Sequence, residues 1–318
     1  MCQKSEWVDS IDPGIINWLL QGDVSVQYQT YRDLLNDDRK DLQQKIEAEG
    51  WGKQFLQKRN KNGHWGLRFY QPKWISTHYT LLDLKNLAIN PGCSVITETI
   101  NTVLKETKAA DGGILPIGEM KKSDMCINGM VLNYSSYFGA GEEDLKSIVE
   151  NILSQQLPDG GFNCMLNRSG AVHSSLHTTI SVLEGIWEYK HNNYTYRLNE
   201  LLKAKSASEE FILQHRLYKS DKTGQIIDKR FLNLTHPCRW RYDILRALDY
   251  FQYAKVPYDS RMQDAIDVIL KKRKKDGTWN AQAHHPGAVH FHMEIAGMPS
   301  RWNTLRVLRA LKHFCVKI

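Results

Sequence analysis

Asp124 and Cys126 in KSDMCINGM, and His173 and His177 in VHSSLHTTISVLEG, bracket the stretch QQLPDGGFNC that ends at Cys164. Carboxylate, thiolate and neutral imidazole are three side chains that together hold a first-row metal. On zinc, Asp124, Cys126 and His177 would fill three tetrahedral corners and leave the fourth for a substrate thiol or a water, lowering its pKa. Each also has a structural reading: Asp124 as a helix cap, Cys126 as a small buried apolar residue, His177 as a hydrogen-bonded core histidine. His173 lies four residues before His177, a spacing that puts both rings on one helix face. It reads as a further ligand or as an acid/base beside one, with Cys164 as a reserve ligand.

Two further groups could do chemistry. In HPCRWRYDILRAL, Asp243 follows Arg239, Trp240, Arg241 and Tyr242, and reads as a charge partner or as a catalytic acid. The planar guanidinium groups of Arg239 and Arg241 suit a phosphate or carboxylate. In HFHME, His290, His292 and Glu294 alternate and share one side of an extended segment, as a second metal site or an exposed polar strand.

The elements that position these residues repeat. A Gln, Lys or Arg, three residues, Gly, one residue and a bulky apolar side chain recur at Arg59/Gly63/Trp65, Lys108/Gly112/Ile114, Gln156/Gly160/Phe162 and Arg273/Gly277/Trp279, with a looser copy at Gly224/Ile226. The glycines stand 49, 48, 64 and 53 residues apart, the spacing of helix pairs. In each phrase a helix ends, Asn-Gly or Asp-Gly supplies the left-handed backbone that stops it, and the apolar residue folds back on the helix end. The pattern predicts outer amphipathic helices near 40–58, 93–108, 142–156, 197–216 and 258–274. It predicts inner, more apolar helices near 75–89, 124–138, 174–190, 238–254 and 300–314. Residues 13–21 and 24–36 form a sixth pair, with Pro13 at a first turn. Six inner and six outer helices close a ring, so residues 1–318 are expected to be one all-α domain. The first turns of the inner helices then face a common cavity. His78, Asn128, Arg239, Arg241 and Trp302 are the expected substrate-binding groups there, and His173 and Asp243 the expected catalytic ones.

These phrases resemble the repeats of squalene and terpene cyclases and of protein prenyltransferase beta subunits. GMPSRWNTLRVL and HPCRWRYDILRAL resemble uncharacterised bacterial squalene-cyclase-like proteins. The likeness runs from about residue 13 to 316 and implies an α6/α6 toroid. It also implies zinc at Asp124, Cys126 and His177, which stand where the prenyltransferases carry their ligands. Lys121 matches one basic residue of their diphosphate cradle, but Gly118 and Ile127 replace two other members of the pattern, and the Asp-x-Asp-Asp acid of squalene-hopene cyclases is absent. The implied activity is on a hydrophobic substrate such as an isoprenoid, zinc-assisted, with Lys121, Arg239 and Arg241 on an anionic group. The alternatives are a carbohydrate-active hydrolase or lyase, which α/α toroids also host, and a non-catalytic lipid- or peptide-binding protein. Prenyltransferases use a helical partner subunit; the sequence names none.

With 42% apolar and 24% charged residues, the 318-residue chain has ordinary globular composition. No apolar run is long enough to span a bilayer and no secretory leader opens the chain, so a cytoplasmic protein is expected. Cysteines 2, 93, 126, 164, 238 and 315 are scattered, as free thiols in a reducing compartment would be. The net charge of +7 is spread among mixed signs, and the Lys271–Lys275 run falls at a helix end where cations suit the dipole, so no nucleic-acid partner is expected.

Overall fold

The structure, a computed structural model, describes residues 7, 11–116 and 122–317. Its helices are α1 (Pro13–Leu20), α2 (Val24–Gln29, continued by a π turn at Thr30–Leu34), α3 (Lys40–Lys45), α4 (Gly50–Leu56), α5 (Thr77–Asn86), α6 (Ser94–Glu106), α7 (Met125–Tyr137), α8 (Glu142–Ser154), α9 (Leu176–His191), α10 (Leu198–Gln214), α11 (Ile244–Tyr253), α12 (Gln263–Lys271) and α13 (Arg301–His313). The named strands are one antiparallel ribbon, Trp279–Asn280 against Pro299–Ser300. No helix among the described residues is long and apolar enough to cross a membrane.

The protein is all-α, and its helices alternate as the repeat predicts. α5, α7, α9, α11 and α13 are buried over most of their circumference, whereas α6, α8 and α12 bury one stripe. Contacts between inner helices run from α5 to α7, α9, α11 and α13, and from α13 back to α2. Gln29 of α2 donates to the Asn86 carbonyl at the end of α5. Lys312 donates from the end of α13 to the Asp33 and Leu34 carbonyls, groups that the end of α2 leaves without helical partners.

The repeated phrase works as punctuation. Gly63, Gly112, Gly160, Gly224 and Gly277 all have φ between +68° and +90°. Trp65 and Trp279 turn back so that their indole N–H donates to the Phe55 and Ile269 carbonyls, 2.6 and 2.8 Å away, in the preceding helices. The backbone N–H of each plug is held by a polar residue in the first turn of the next inner helix: Trp65 by Thr77, Ile114 by Asn128, Phe162 by Thr179 and Trp279 by Thr304.

Three predicted helices differ. The 40–58 helix is broken into α3 and α4 at Gly50, whose φ is +60° and where a Cβ would meet the Asp23 carboxylate at 2.1 Å. That carboxylate caps Ser25 and also takes the Trp51 N–H. The helix expected from 238 starts at Ile244, because Arg239 is left-handed and Asp243 is the N-cap. The 258–274 helix is confined to α12 and the 3-10 turn Ser260–Met262 before it.

α7 and α9 approach closest, through Gly129 and Gly185. A Cβ on Gly129 would lie 2.6 Å from the Ser181 carbonyl oxygen, and one on Gly185 would lie 2.4 Å from the Gly129 carbonyl oxygen. Replacing glycine by alanine inside a helix ordinarily gains about 0.8–1 kcal/mol, but the overpacking here costs more. Gly129→Ala is expected to destabilise the protein by a net ~1–3 kcal/mol in urea unfolding; a gain in stability would show that the two helices can part.

Candidate functional site

The side chains singled out at the inner-helix starts divide into several separate environments. Asp124 is the N-cap residue of α7, yet its side chain makes no cap bond. Both of its oxygens are taken by Arg168 from the one-turn helix Leu166–Ser169. Burial raises its pKa, against the pull of that guanidinium. Cys126 interacts with Cys164. His177 sits apart, its Nδ1 accepting the Tyr242 N–H at 2.8 Å and its ring edge-on to Phe231 and Trp240. Among the described residues no group of three His, Cys, Asp or Glu side chains is placed to hold a metal. The expected Asp124/Cys126/His177 set is therefore not assembled in this arrangement: the carboxylate is committed to Arg168 and the imidazole lone pair to a backbone amide, so the residues do not fit a zinc site.

Other expectations are corrected as well. His173 does not share a helix face with His177, since α9 begins at Leu176 and leaves His173 exposed in the preceding loop. Asn128 is wholly engaged, accepting from the Ile114 N–H and donating to Ser123 and Asn151, and so serves the chain turn rather than a substrate. His78 is buried among Phe69, Tyr70, Tyr79 and Tyr134, and its Nδ1 meets the Tyr134 hydroxyl at 3.3 Å. Asp243 caps α11 by accepting the Arg246 N–H, with burial raising its pKa to about 6. Lys121 lies outside the described residues. Arg241 lies over Trp240, beside Lys73, whose ammonium group stacks on both Trp74 and Trp240. The segment after Trp279 covers this end: Trp74 donates to the Pro286 carbonyl, and His290 meets the Thr80 hydroxyl at 3.0 Å. The expected strand of alternating histidines is thus a packed loop.

Arg239 and Trp302 do face a shared cavity. It lies between the inner helices and is about 110 Å³ in volume; a second, open space of about 870 Å³, the funnel, lies against their C-terminal ends and shares part of its wall. Arg32, Tyr137, Trp187, Tyr253 and Arg309 line both spaces. The wall is charged. Arg246 grips Glu184 with two bonds of 2.8 and 2.7 Å, linking α11 to α9. Lys85 pairs with Glu188 at 2.6 Å, linking α5 to α9, and Arg239 pairs with Asp83. Arg309 holds Asp249 with two bonds and reaches Asp33 and Gln29 with its remaining nitrogen, joining α13 to α11 and α2. Arg306 shares Asp249 through Nε, leaving its buried Nη1 without a protein partner; the Trp187 indole N–H also has none.

At the junction of cavity and funnel three rings meet. Trp187 stacks on His191 with centroids 5.8 Å apart, Tyr253 stands edge-on to Trp187 at 6.0 Å, and His191 and Tyr253 are 5.9 Å apart. Lys85 lies 5.4 Å from the Tyr253 ring centre. Burial, together with the nearby Glu188 charge, holds the Tyr253 phenol well above its usual pKa, so it carries its proton at neutral pH. His191 is exposed at the end of α9. The sequence motifs do not single out this cluster or the ion pairs. Their signal was present as charges three or four apart inside otherwise apolar helices, Glu184/Glu188 and Arg306/Arg309/Lys312.

No family profile and no curated protein matches the chain. Among solved structures it is similar to a polysaccharide lyase, with a TM-score of 0.53 at 12% identity, over 98% of this chain and 96% of that one. At that identity the likeness bears on the fold alone.

The buried histidines fix a pH dependence. Burial first, and nearby arginines at the last three, lower His78 to about 3 and His177, His285 and His290 to about 4; His236 falls well below its usual value for the same reasons. Unfolded imidazoles take a proton near pH 6.5, so between about 6.5 and 4 the unfolded chain binds more protons and stability falls as pH falls. Asp243, which keeps its proton up to about pH 6 when folded, opposes this in part, as do Asp23, Asp83, Asp124 and Glu294, whose carboxyl pKa values burial also raises. The melting temperature is expected to drop by several degrees between pH 7 and pH 5; a flat or rising profile would contradict neutral buried histidines.

Proposed function

We propose that the chain, residues 1–318, is a single α6/α6 toroid and a carbohydrate-active enzyme of the lyase type, acting on an anionic saccharide in the cavity and funnel. The observation that carries this reading is the charged wall around the Trp187, His191 and Tyr253 cluster. An isoprenoid would have to displace water from these arginines and carboxylates without replacing its hydrogen bonds, at a cost of several kcal/mol per unpaired ion. A sugar supplies hydroxyl groups to such a wall and an apolar face to an indole.

Elimination suits the residues better than hydrolysis. Glycoside hydrolysis calls for two carboxyl groups, one protonated and one free, whereas Glu184, Glu188 and Asp249 are all engaged by cations. Two donors on the cavity wall, Arg306 Nη1 and Trp187 Nε1, have no protein partner, as does the Asn133 Oδ1 acceptor. Arg306 Nη1 would donate to a uronate carboxylate on a wall whose other cations, Arg32, Lys85 and Arg309, are already paired, and that bond would acidify the adjacent C–H. His191 would take that proton, and the protonated Tyr253 would deliver one to the departing glycosidic oxygen. A solved polysaccharide lyase has a similar fold, so such a scaffold can host this class of reaction.

The test is ultraviolet detection of the unsaturated product from a panel of polyuronates and glycosaminoglycans. His191→Ala and Tyr253→Phe are expected to lower the rate by about 10²–10⁴ while remaining folded. Arg241→Ala, at the opposite end of the inner helices, is expected to leave it unchanged. New reducing ends from neutral glycans without ultraviolet product would replace elimination by hydrolysis.

A further inference from the structure

At the end of the inner helices away from the funnel, Cys164, in the loop before Leu166–Ser169, and Cys126, the second residue of α7, are hydrogen-bonding neighbours. The Cys126 thiol and the Cys126 backbone N–H both act on the Cys164 sulfur. That amide belongs to the first turn of a thirteen-residue helix, where the N–H groups have no helical acceptor. A third donor is Thr178, whose hydroxyl lies 3.1 Å from the Cys164 sulfur and also accepts the Cys164 N–H at 3.2 Å. Arg168 adds positive charge beside both sulfurs and Lys73 beside Cys126, while the Asp124 carboxylate paired with Arg168 acts in the opposite direction. Neither cysteine is fully buried. Donors converging on one sulfur favour its thiolate, and the thiolate is the reactive form.

We propose that Cys164 and Cys126 form a peroxide-reactive dithiol in which Cys164 is attacked first and Cys126 resolves it. The Cys164 thiolate attacks one peroxide oxygen, the O–O bond breaks, and the departing oxygen leaves as water or an alcohol once protonated. The Cys126 sulfur then attacks the Cys164 sulfenic acid; the S–O bond breaks and hydroxide leaves with the Cys126 proton as water. Two thiols and one hydroperoxide thus give one disulfide, one alcohol or water, and one water, the peroxide taking the two electrons. The cross-link ties the loop carrying Arg168, already paired to Asp124, to the first turn of α7. This chemistry is independent of the activity assigned to the funnel.

The experiment uses the full chain, fully reduced, exposed to graded hydrogen peroxide, alkylated and mapped by mass spectrometry. A Cys126–Cys164 cross-linked peptide is expected to accumulate first and to disappear on reduction with dithiothreitol, while the buried Cys93 and the partly buried Cys238 stay alkylated. Cys164→Ser is expected to leave Cys126 alkylated after the same treatment. The proposal is overturned if Cys126 and Cys164 resist peroxide as Cys93 and Cys238 do, if either pairs with a different cysteine, or if Cys164 passes to irreversible acids without a cross-link.

Discussion

The inner helices are held to one another by ions as well as by apolar packing. Arg309 alone bridges three of them, through Asp249 on α11 and through Asp33 and Gln29 on α2. Arg246 and Lys85 tie α11 and α5 to α9. Charges drawn from water in this way are costly unless geometry and hydrogen bonds compensate them, and all-apolar replacements of such groups are often no less stable. A wall of paired ions therefore calls for a reason beyond stability, and a polar ligand is one. The wall presents donors, such as Arg306 Nη1, that protein groups do not saturate.

The same wall makes the two ends of the inner helices different. At their starts, Thr77, Asn128, Thr179 and Thr304 are spent on the plug residues of the repeat, and the loop after Trp279 packs over Trp74 and Thr80. At their ends, Arg32, Trp187, His191 and Tyr253 line a wide funnel. The polar first turns are thus largely part of the scaffold: an inner helix must offer a hydrogen bond to the backbone of the turn that precedes it, because that turn is buried. The Gly129 and Gly185 contact adds a second constraint, setting the α7 and α9 backbones close enough that Ser181 and Glu184 can both reach Arg246.

The alternation of helices was legible because its signals are local. A glycine in the left-handed region, a polar residue four before it and a bulky apolar residue two after it recur where outer helices stop, and the polar residue bonds the glycine carbonyl at Arg59/Gly63/Trp65 and Gln156/Gly160/Phe162. Helix limits failed where a distant side chain intervened, as at Gly50, whose conformation is tied to Asp23. Site residues failed for a related reason. Asp124, Cys126 and His177 have the right chemistry at a suggestive spacing, but Arg168, Cys164 and the Tyr242 amide reach each of them first.

By itself the sequence determined the helical class, the positions of the turns, the amphipathic outer stripes and the buried character of the inner helices, since these follow from backbone preferences and hydrophobic periodicity within a few turns. The tertiary structure alone decided which charges pair, which end of the inner helices opens, and which rings meet at Trp187, His191 and Tyr253. Those outcomes depend on the rotation and spacing of helices far apart in the chain, as with Asp33 and Arg309, and no local pattern encodes that geometry.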